Sequence, residues 1–425
     1  MRTPSIPRWT PRRVAVAIGV LVILAGVSIV QTARQRPGTD FHARWLAGQW
    51  FLQGESLYRD LPDVREPSYP PFAAMVFQVF ALFPLRAAAA GFYFVNLLLT
   101  GAAVMLTRRI FRRVWPERSV SPWPLVGATV LSAQFLLNNL NLVQVNTALF
   151  ALCLWGILAY VEGRDIQAAT AFVVATFIKI VPLFFLAWLA LRGRRRAVLA
   201  IGPLTLCCVA LPLLQRGVAG GVRDLTEYYH TFLQSFQAGV PARYNRYTNQ
   251  SLGAALYRLT RPPAVPEEQD FRVADASEAF TRTASRLAAG AIGLTFVASL
   301  LLLRRRRAAV TVFEWSSVFL VGHLVSGITW KAHLVTLLFV YCAFLSVPLR
   351  ELPRGLRGCT YAAVTLMALS GLTGRDVVGD RVHHWIGGYS LITWTMVVLF
   401  GAAIAFSQRP TAAHEPPPAA AGGTG

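Results

Sequence analysis

The stretch AATAFVVATFIKIVPLFFLAWLAL, residues 168–191, carries a single charged side chain, Lys179. A run of about 20 apolar residues is long enough to cross a bilayer as a helix. The whole chain has the same character, since 55% of its 425 residues are hydrophobic, 14% are charged, and the mean hydropathy is +0.47. Soluble domains carry about a quarter charged residues. The sequence therefore predicts an all-α polytopic membrane protein and excludes most soluble folds.

Apolar segments recur along the chain and predict about 11–12 transmembrane helices, the first of which starts in the cytoplasm. We expect these helices to form one domain over residues 1–406, followed by a disordered Pro/Ala/Gly-rich tail at 407–425. One segment, 72–83, is short for a crossing and is expected to be re-entrant or partly outside the bilayer. The apolar segments are residues 14–30, 72–83, 87–106, 123–137, 143–160, 168–191, 197–214, 286–303, 312–328, 333–347, 359–372 and 385–406.

Arginine clusters flank the apolar segments, at residues 108–113, 192–196 and 304–307 among others, and the net charge is +21. This pattern is typical of cytoplasmic anchors beside anionic lipid, so we expect membrane lipid as a partner and no nucleic acid. Strict alternation of crossings does not place every cluster inside. If segment 72–83 crosses fully, the 108–113 cluster falls outside, and if it does not cross, the 192–196 cluster does.

Two long loops separate the predicted helices, at residues 31–71 and 215–285. The first loop follows the first helix and is predicted to lie at the outer face. Its amphipathic stretch 41–52 predicts a helix lying along the membrane surface. Asp40 precedes that stretch, and a carboxylate at the membrane boundary suits a general base. Asp is also a favoured helix cap, so both roles stay open.

The chain has only two lysines, Lys179 and Lys331. A lysine at the centre of a membrane helix costs about 2.5–3.5 kcal/mol, so Lys179 is predicted to face a polar cavity. Pro182 follows it and would open the helix locally. We interpret Lys179 as a cation for the phosphate of a lipid head group, with a structural ion pair or snorkelling as the alternatives.

Polar segments elsewhere supply further candidates. His333 lies in a polar segment between two apolar runs, where it would assist a base or bind a phosphate, or have no catalytic task. The amides of residues 138–146 suit sugar hydroxyls but also helix ends. Residues 243–250 combine Arg243, Arg246 and tyrosines with Asn249 and Gln250, which suits a carbohydrate phosphate site or an ordinary interfacial loop. No cluster with metal-ligand spacing is present, so we expect no metal.

These motifs occur in an order that resembles glycosyltransferase family 87, the polyprenol-phosphate-mannose-dependent mannosyltransferases of the GT-C membrane class. Two positions depart from the family pattern, with Ala332 in place of a first histidine and Val143 in place of a glycine. The motifs are Asp40, Gly54-Glu55-Ser56-Leu57-Tyr58, Tyr69-Pro70-Pro71-Phe72, Gln144-Val145-Asn146, Ile178-Lys179-Ile180-Val181-Pro182, Asn249-Gln250-Ser251-Leu252 and Thr329-Trp330-Lys331-Ala332-His333.

The resemblance implies a GT-C-like bundle with a catalytic outer loop at 31–71 and inverting transfer of a sugar from a lipid-phosphate donor. It implies Asp40 as the general base and matches Lys179 and His333 to family motifs. The remaining candidates fall into two groups. We assign donor-phosphate binding to Lys179, Arg243, Arg246 and Lys331, and sugar or acceptor binding to Tyr58, Tyr69, Gln144, Asn146, Asn249 and Gln250.

Together these observations predict a hexosyltransferase of the plasma (inner) membrane with its active site at the outer face. It would move a hexose, mannose by the resemblance, from a polyprenyl-phosphate sugar to a glycolipid or glycan acceptor. It would need no cofactor, because the lipid-phosphate sugar is itself the activated donor. Two other hypotheses remain, namely a transporter or flippase of lipid-linked sugars and a nonenzymatic scaffold.

Overall fold

The computed structural model describes residues 11–33, 39–59, 69–115, 121–234, 246–263, 269–347 and 352–409. These residues form sixteen α-helices and no strand, which confirms the all-α prediction. A π-helical turn at Tyr229–Leu233 extends α9, and a 3-10 turn at Lys331–Thr336 precedes α13. The helices are α1 Pro11–Thr32, α2 Asp40–Gln53, α3 Pro71–Ala81, α4 Leu85–Val114, α5 Trp123–Asn141, α6 Asn146–Val161, α7 Asp165–Ile178, α8 Leu183–Arg192, α9 Arg195–Tyr228, α10 Leu252–Thr260, α11 Glu278–Arg305, α12 Val312–Val325, α13 Leu337–Leu345, α14 Arg354–Gly371, α15 Arg375–Gly388 and α16 Leu391–Ser407.

Helices α2 and α3 pack tightly against each other instead of crossing the molecule. Gly48 of α2 permits this, because a Cβ there would lie 2.8 Å from the backbone of Phe77. Trp45 then donates through Nε1 to the carbonyl oxygen of Phe83 at 2.9 Å, which ties α2 to the start of α4. The 11-residue α3 is therefore a packed helix beside α2, as its short length indicates.

The long helix α4 connects the α2–α3 pair to an arginine-rich end. Its 30 residues span about 45 Å. Near its last turn, Arg109 and Arg113 lie 3.7 and 3.8 Å from the carboxylate of Glu162, which ends α6. Glu162 also pairs with Arg164 at 2.6 Å.

Residues 168–191 differ from the single membrane crossing that their length predicts. Helix α7 ends at Ile178, Lys179 is extended (φ −156°), and α8 begins after Pro182. The chain then turns back, because Arg194 pairs with Asp165 at 2.8 Å and donates to the carbonyl oxygen of Tyr160 at 2.8 Å. Helices α7 and α8 thus form a hairpin. The start of α7 and the end of α8 both lie at the arginine-rich end of the molecule.

This hairpin resolves the conflict in the predicted topology. The 192–196 cluster returns beside Tyr160 and Asp165, close to the Glu162 that contacts the 108–113 cluster. The third cluster joins them, since Arg304 donates to the carbonyl oxygen of Leu191 at 3.3 Å. All three clusters therefore lie at one end, opposite Asp40, as the positive-inside pattern requires.

A buried ion pair fastens this end. The guanidinium of Arg192 lies 2.8 Å from the carboxylate of Glu314 at the start of α12, and their side chains are 6% and 1% exposed. Trp188 also donates to this carboxylate, at 2.7 Å. The pair holds the α7–α8 hairpin against α12 and so fixes the position of the hairpin relative to α12.

Among the described residues, three helices are long and apolar enough to cross a membrane, namely α4, α11 and α9 with its π-helical extension. Helices α15 and α16 would make a fourth crossing as a pair bent by 57°. Most other apolar helices have 10–17 residues. The chain is thus a multi-pass membrane protein in which several predicted crossings are short or broken helices.

Both predicted long loops contain helices. The first, 31–71, contains α2, although much of α2 is buried instead of lying on a membrane surface. The second, 215–285, contains the end of α9, all of α10 and the start of α11. Residues 410–425 of the predicted disordered tail lie outside the described residues, and the predicted domain limits stay predictions.

Candidate active site

Asp40 is the first residue of α2, directly after a capped turn. The cap is Thr39, whose side chain accepts from the backbone N–H of His42, so Asp40 itself is not the cap. The Nε2 of Gln144 donates to Oδ2 of Asp40. Gln144 comes from the segment between α5 and α6, and this contact brings two predicted site residues together across 104 positions of sequence.

Arg44, one turn after Asp40, holds this contact in place. It is 3% exposed, and its Nη1 donates to the hydroxyl of Tyr69 at 3.0 Å and to Oε1 of Gln144 at 3.2 Å. Its Nη2 donates to the carbonyl oxygen of Val143 at 2.8 Å. Because Arg44 takes the amide oxygen, the NH₂ group of Gln144 faces Asp40.

The sequence analysis missed Arg44. A signal was present, because Arg44 lies four residues after Asp40 in a helix and so on the same face. Its neighbours Phe41 and Ala47 are also buried. We assigned the stretch to a membrane surface, where an arginine faces water and needs no partner.

The Val143 backbone is strained beside this network. Val143 has φ 49°, a conformation that β-branched residues rarely adopt, and its side chain is 1% exposed. The family pattern places a glycine here, and glycine adopts this conformation freely. Strain of this kind is held by surrounding contacts, and the Arg44 bond to the Val143 carbonyl is one of them.

Lys179 lies at the turn of the α7–α8 hairpin. Its Nζ donates to Oδ1 of Asn146 at 2.9 Å and lies 2.8 Å from Nε2 of His333. It also lies 5.8 Å from the ring centroid of Tyr69, and the Arg44 guanidinium lies 5.6 Å from the same centroid. Tyr69 therefore links the Asp40 group to the Lys179 group.

His333 lies in the 3-10 turn before α13. A neutral imidazole accepts a hydrogen bond from the Lys179 ammonium through Nε2, whereas a protonated one would repel it. With Nε2 as the acceptor at 2.8 Å, the ring proton is on Nδ1, so the 3.4 Å contact of Nδ1 with the backbone N–H of Trp330 is not a hydrogen bond in this tautomer. Lys179 and His333 therefore form a hydrogen-bonded pair in which the Lys179 ammonium is the cation.

The predicted amide cluster orients Asn146 toward Lys179. The Nδ2 of Asn146 donates to Oδ1 of Asn139 at 3.2 Å, and Nδ2 of Asn139 donates to the hydroxyl of Thr147 at 2.7 Å. All three residues are buried. Since the Asn146 amide is fixed by Asn139, its oxygen points at the lysine.

A cavity of about 40 Å³ lies beneath Lys179. Its polar rim is Lys179, Asn146 and His333, and a second histidine, His323, contacts the hydroxyl of Thr336 at 2.7 Å within it. A charged group above an apolar pocket suits a ligand with an anionic head and an apolar tail. The apolar wall is Leu149, Phe150, Cys153, Val181, Pro182, Phe185, Val318 and Phe319.

Tyr58, in the loop after α2, holds Tyr69 in place. Its hydroxyl donates to the carbonyl oxygen of Tyr69 at 2.7 Å. Burial raises the pKa of the Tyr58 phenol well above its ordinary value, and Tyr228, Asp224 and Glu227 add to the shift. The Tyr58 hydroxyl therefore stays protonated and can donate its hydrogen bond to the carbonyl oxygen of Tyr69.

The other predicted site residues lie apart from this group. Asn249 and Gln250 are fully buried, and their amides bond to the backbone of Gly327, Thr329, Tyr247 and Gly387. They hold the segment that precedes His333 in place. Their role in sugar or acceptor binding stays a prediction.

Lys331 has contacts different from those of Lys179. Lys331 contacts Nδ1 of His383 at 3.3 Å and the carbonyl oxygen of Thr373 at 3.5 Å. Arg246 is exposed, and Arg243 lies outside the described residues. Donor-phosphate binding by these three residues stays a prediction.

Metal ligation has no candidate in the part of the chain that the structure describes, because no group of three or more His, Cys, Asp or Glu residues lies close enough together to hold an ion. Among the described residues, the site is built from one carboxylate, one lysine, one arginine, amides and imidazoles. This set suits proton transfer and the binding of an anion.

Comparison with known proteins decides the family. The model of glycosyltransferase family 87 matches residues 68–327, more than half of the chain. The chain belongs to glycosyltransferase family 87. This confirms the resemblance noted in the sequence and makes the protein a glycosyltransferase of the membrane.

Two known proteins are similar to this family 87 member. One is a polyprenol-phosphate-mannose-dependent alpha-(1-2)-phosphatidylinositol mannoside mannosyltransferase from Mycobacterium tuberculosis, 24% identical over 390 residues, which cover 86% of this chain and 83% of the relative. The other is the crystal structure of ArnT from Cupriavidus metallidurans bound to undecaprenyl phosphate. It has 13% identity and a TM-score of 0.35, and the match covers 93% of this chain and 78% of that one.

Proposed function

We propose that this glycosyltransferase moves a hexose, mannose in the first instance, from a polyprenyl-phosphate sugar to a hydroxyl of a glycolipid or glycan. The observation that carries the proposal is that Tyr69 lies close to both Lys179 and Arg44, and that Gln144 connects Arg44 to Asp40. Asp40 offers a carboxylate held by an amide, and Lys179 offers a cation above an apolar cavity. The name of the mycobacterial relative supports the donor class.

The leaving phosphate binds at Lys179. As the bond between the anomeric carbon and the phosphate oxygen breaks, the electron pair leaves with the polyprenyl phosphate. Lys179 stabilises the charge that develops there, and His333 and Asn146 hold the lysine at the required position. The apolar wall beneath the lysine accommodates the first part of the lipid chain.

The acceptor hydroxyl is activated at Asp40. Its oxygen attacks the anomeric carbon from the face opposite the phosphate, and its proton passes to the Asp40 carboxylate. The product is therefore inverted at that carbon. Gln144 and Arg44 fix the carboxylate, and Tyr69, between the two groups, contacts the sugar.

The reaction takes place at the outer face of the plasma membrane in this proposal. Three arginine clusters lie together at the end opposite Asp40. The positive-inside rule assigns such an end to the cytoplasm, which leaves Asp40, Lys179 and the acceptor at the outer face.

The test is sugar transfer by the purified full-length protein in lipid nanodiscs. Polyprenyl-phosphate-mannose should support transfer to a membrane glycolipid extract, and polyprenyl-phosphate-glucose should be a poorer donor. Transfer from GDP-mannose alone would overturn the donor class. Accumulation of lipid-linked sugar in vesicles without a new glycosidic bond would favour a flippase instead.

Asp40→Asn tests the base. We expect a loss of about 10²–10⁴-fold in kcat, because the amide cannot accept the proton. Asp376→Asn, an exposed carboxylate at the start of α15, is the matched control and should keep wild-type turnover. Near-wild-type turnover of Asp40→Asn would remove Asp40 from the mechanism.

A further inference from the structure

A second cavity lies at the arginine-rich end, far from the candidate active site. It has a volume of about 220 Å³ and is lined mainly by the end of α4, the start of α5 and the end of α13. Along α4, its first lining residue, Arg108, is about 35 Å from the start of the helix beside α2. The lining residues on which the argument rests are Arg108, Arg112, Trp115 and Ser121.

The four arginines near the end of α4 divide into two pairs. Arg109 and Arg113 face Glu162, at 3.7 and 3.8 Å. Arg108 and Arg112 line the cavity instead, and within the described ranges neither has an ion pair or a hydrogen bond. A cavity with two unpaired guanidinium groups is a site of positive potential that fits an anion.

The same face of α4 becomes apolar toward the middle of the molecule. Leu98 and Met105 are 42% and 66% exposed, and they precede Arg112 by about four and two turns of the helix, respectively. The exposed stripe is thus apolar over about three turns and cationic at its end. This order matches an amphiphile whose chains lie beside the helix and whose head group lies at the arginines.

The start of α5 adds to the positive potential on the opposite wall. Ser121 and Pro122 precede the first turn of α5 and line the cavity with Pro124. The N-terminus of a helix carries a partial positive charge, and an indole such as that of Trp115 suits the head-group region. Both features fit a phosphate at this level of the bilayer.

We infer that this cavity binds the phosphate head group of an anionic phospholipid from the leaflet at the arginine-rich end. Arg108 and Arg112 bind the phosphate, and the acyl chains lie along the α4 stripe at Leu98 and Met105. The inference does not depend on the proposed function, because the cavity contains no residue of the candidate active site. Its consequence is that an anionic lipid stabilises the packing of α4 against α5 and α13.

Lipid binding to the purified full-length protein tests the inference. Native mass spectrometry and thermal unfolding are measured in a nonionic detergent with added phosphatidylglycerol, with phosphatidylcholine of the same chains, and with inorganic phosphate. We expect phosphatidylglycerol to bind and to raise the melting temperature, and neither other compound to do so. An equal rise with inorganic phosphate would overturn the inference in favour of a soluble anion.

Two double variants separate a specific site from general attraction. Arg108→Gln with Arg112→Gln should weaken phosphatidylglycerol binding by about thirtyfold, from the usual contribution of two basic residues at an anionic surface. Arg109→Gln with Arg113→Gln removes the same charge from the same turns and leaves Glu162 paired with Arg164. It should bind as wild type does. Equal losses in the two variants would overturn the inference.

Discussion

The two lysines of the chain lie in regions that resemble each other in composition and differ in their connections. Lys179 lies 2.8 Å from a ring nitrogen of His333, and Lys331 lies 3.3 Å from one of His383. Each region also has a tyrosine, an arginine and a carboxylate nearby. We call them the Lys179 region and the Lys331 region.

The connections decide which region can do chemistry. In the Lys179 region, Tyr69 lies between Lys179 and Arg44, and Gln144 joins Arg44 to Asp40. In the Lys331 region, the lysine contacts the turn between α14 and α15. A pair of functional groups needs a shared space as well as suitable residue types, and the Lys179 region has a cavity beneath its cation.

Replacing the two lysines gives the largest expected contrast. Lys179→Met should lower kcat by about 10²–10³-fold, the usual loss when one group that stabilises developing negative charge is removed. Lys331→Met tests the donor-phosphate role predicted for Lys331 and should lower kcat by a smaller factor, because its ammonium contacts Thr373 and His383. Both are measured as initial rates of transfer from polyprenyl-phosphate-mannose.

Equal losses in the two lysine variants would contradict this comparison, and a larger loss for Lys331→Met would move the phosphate site to the other region. Folding is checked for each variant by its elution and melting temperature in detergent. Lys179→Arg serves as a second variant that keeps the charge. It should retain more activity than Lys179→Met.

The helices and the breaks in them follow from the sequence, whereas their directions do not. Residues 168–191 have the length of a crossing, and Pro182 signals a break at one point. A proline does not specify that the chain reverses. The reversal depends on Arg192 and Arg194, whose partners Glu314 and Asp165 lie far apart in sequence.

The candidate site was predictable where one residue was chemically unusual in its surroundings. Asp40 after a membrane helix and Lys179 in an apolar run are such residues. Arg44 was not, because arginine is common in this chain and only a contact across about a hundred positions gives it a partner. Asn249 and Gln250 have residue types that suit a sugar, yet their amides bond to nearby backbone, which no spacing in the sequence indicates.

The arginines of the two regions give the next contrast. Arg44→Lys keeps the charge but loses the forked geometry that reaches Tyr69, Gln144 and Val143. A displacement of about 1 Å in a positioned group costs about a hundredfold in rate, so kcat should fall by that factor while KM stays unchanged. Arg375→Lys, at an exposed arginine that pairs with Asp380 close to His383 of the Lys331 region, should change neither constant. A rise in KM alone for Arg44→Lys would assign Arg44 to substrate binding.

The histidines should differ by a smaller factor. His333→Gln removes the ring that contacts Lys179 and should lower kcat by about tenfold, as expected for one hydrogen bond to a charged group. His383→Gln removes the equivalent contact to Lys331 and should have no effect on kcat. Identical rates for the two variants would show that the Lys179 ammonium keeps its position without His333.

The tyrosine hydroxyls give the smallest expected contrast. Tyr69→Phe keeps the ring beside Lys179 and Arg44, at 5.8 and 5.6 Å from its centroid, and removes only the acceptor of the 3.0 Å bond from Arg44. The loss of one such bond is about 1 kcal/mol, which corresponds to a fall of about fivefold in kcat. Tyr247→Phe keeps the ring against that of His384, with the two ring centroids 3.8 Å apart, and should not change the rate. If Tyr69→Phe were as slow as Lys179→Met, the hydroxyl itself would act on the sugar, and Tyr69 would be a catalytic residue instead of a link between the two halves of the site.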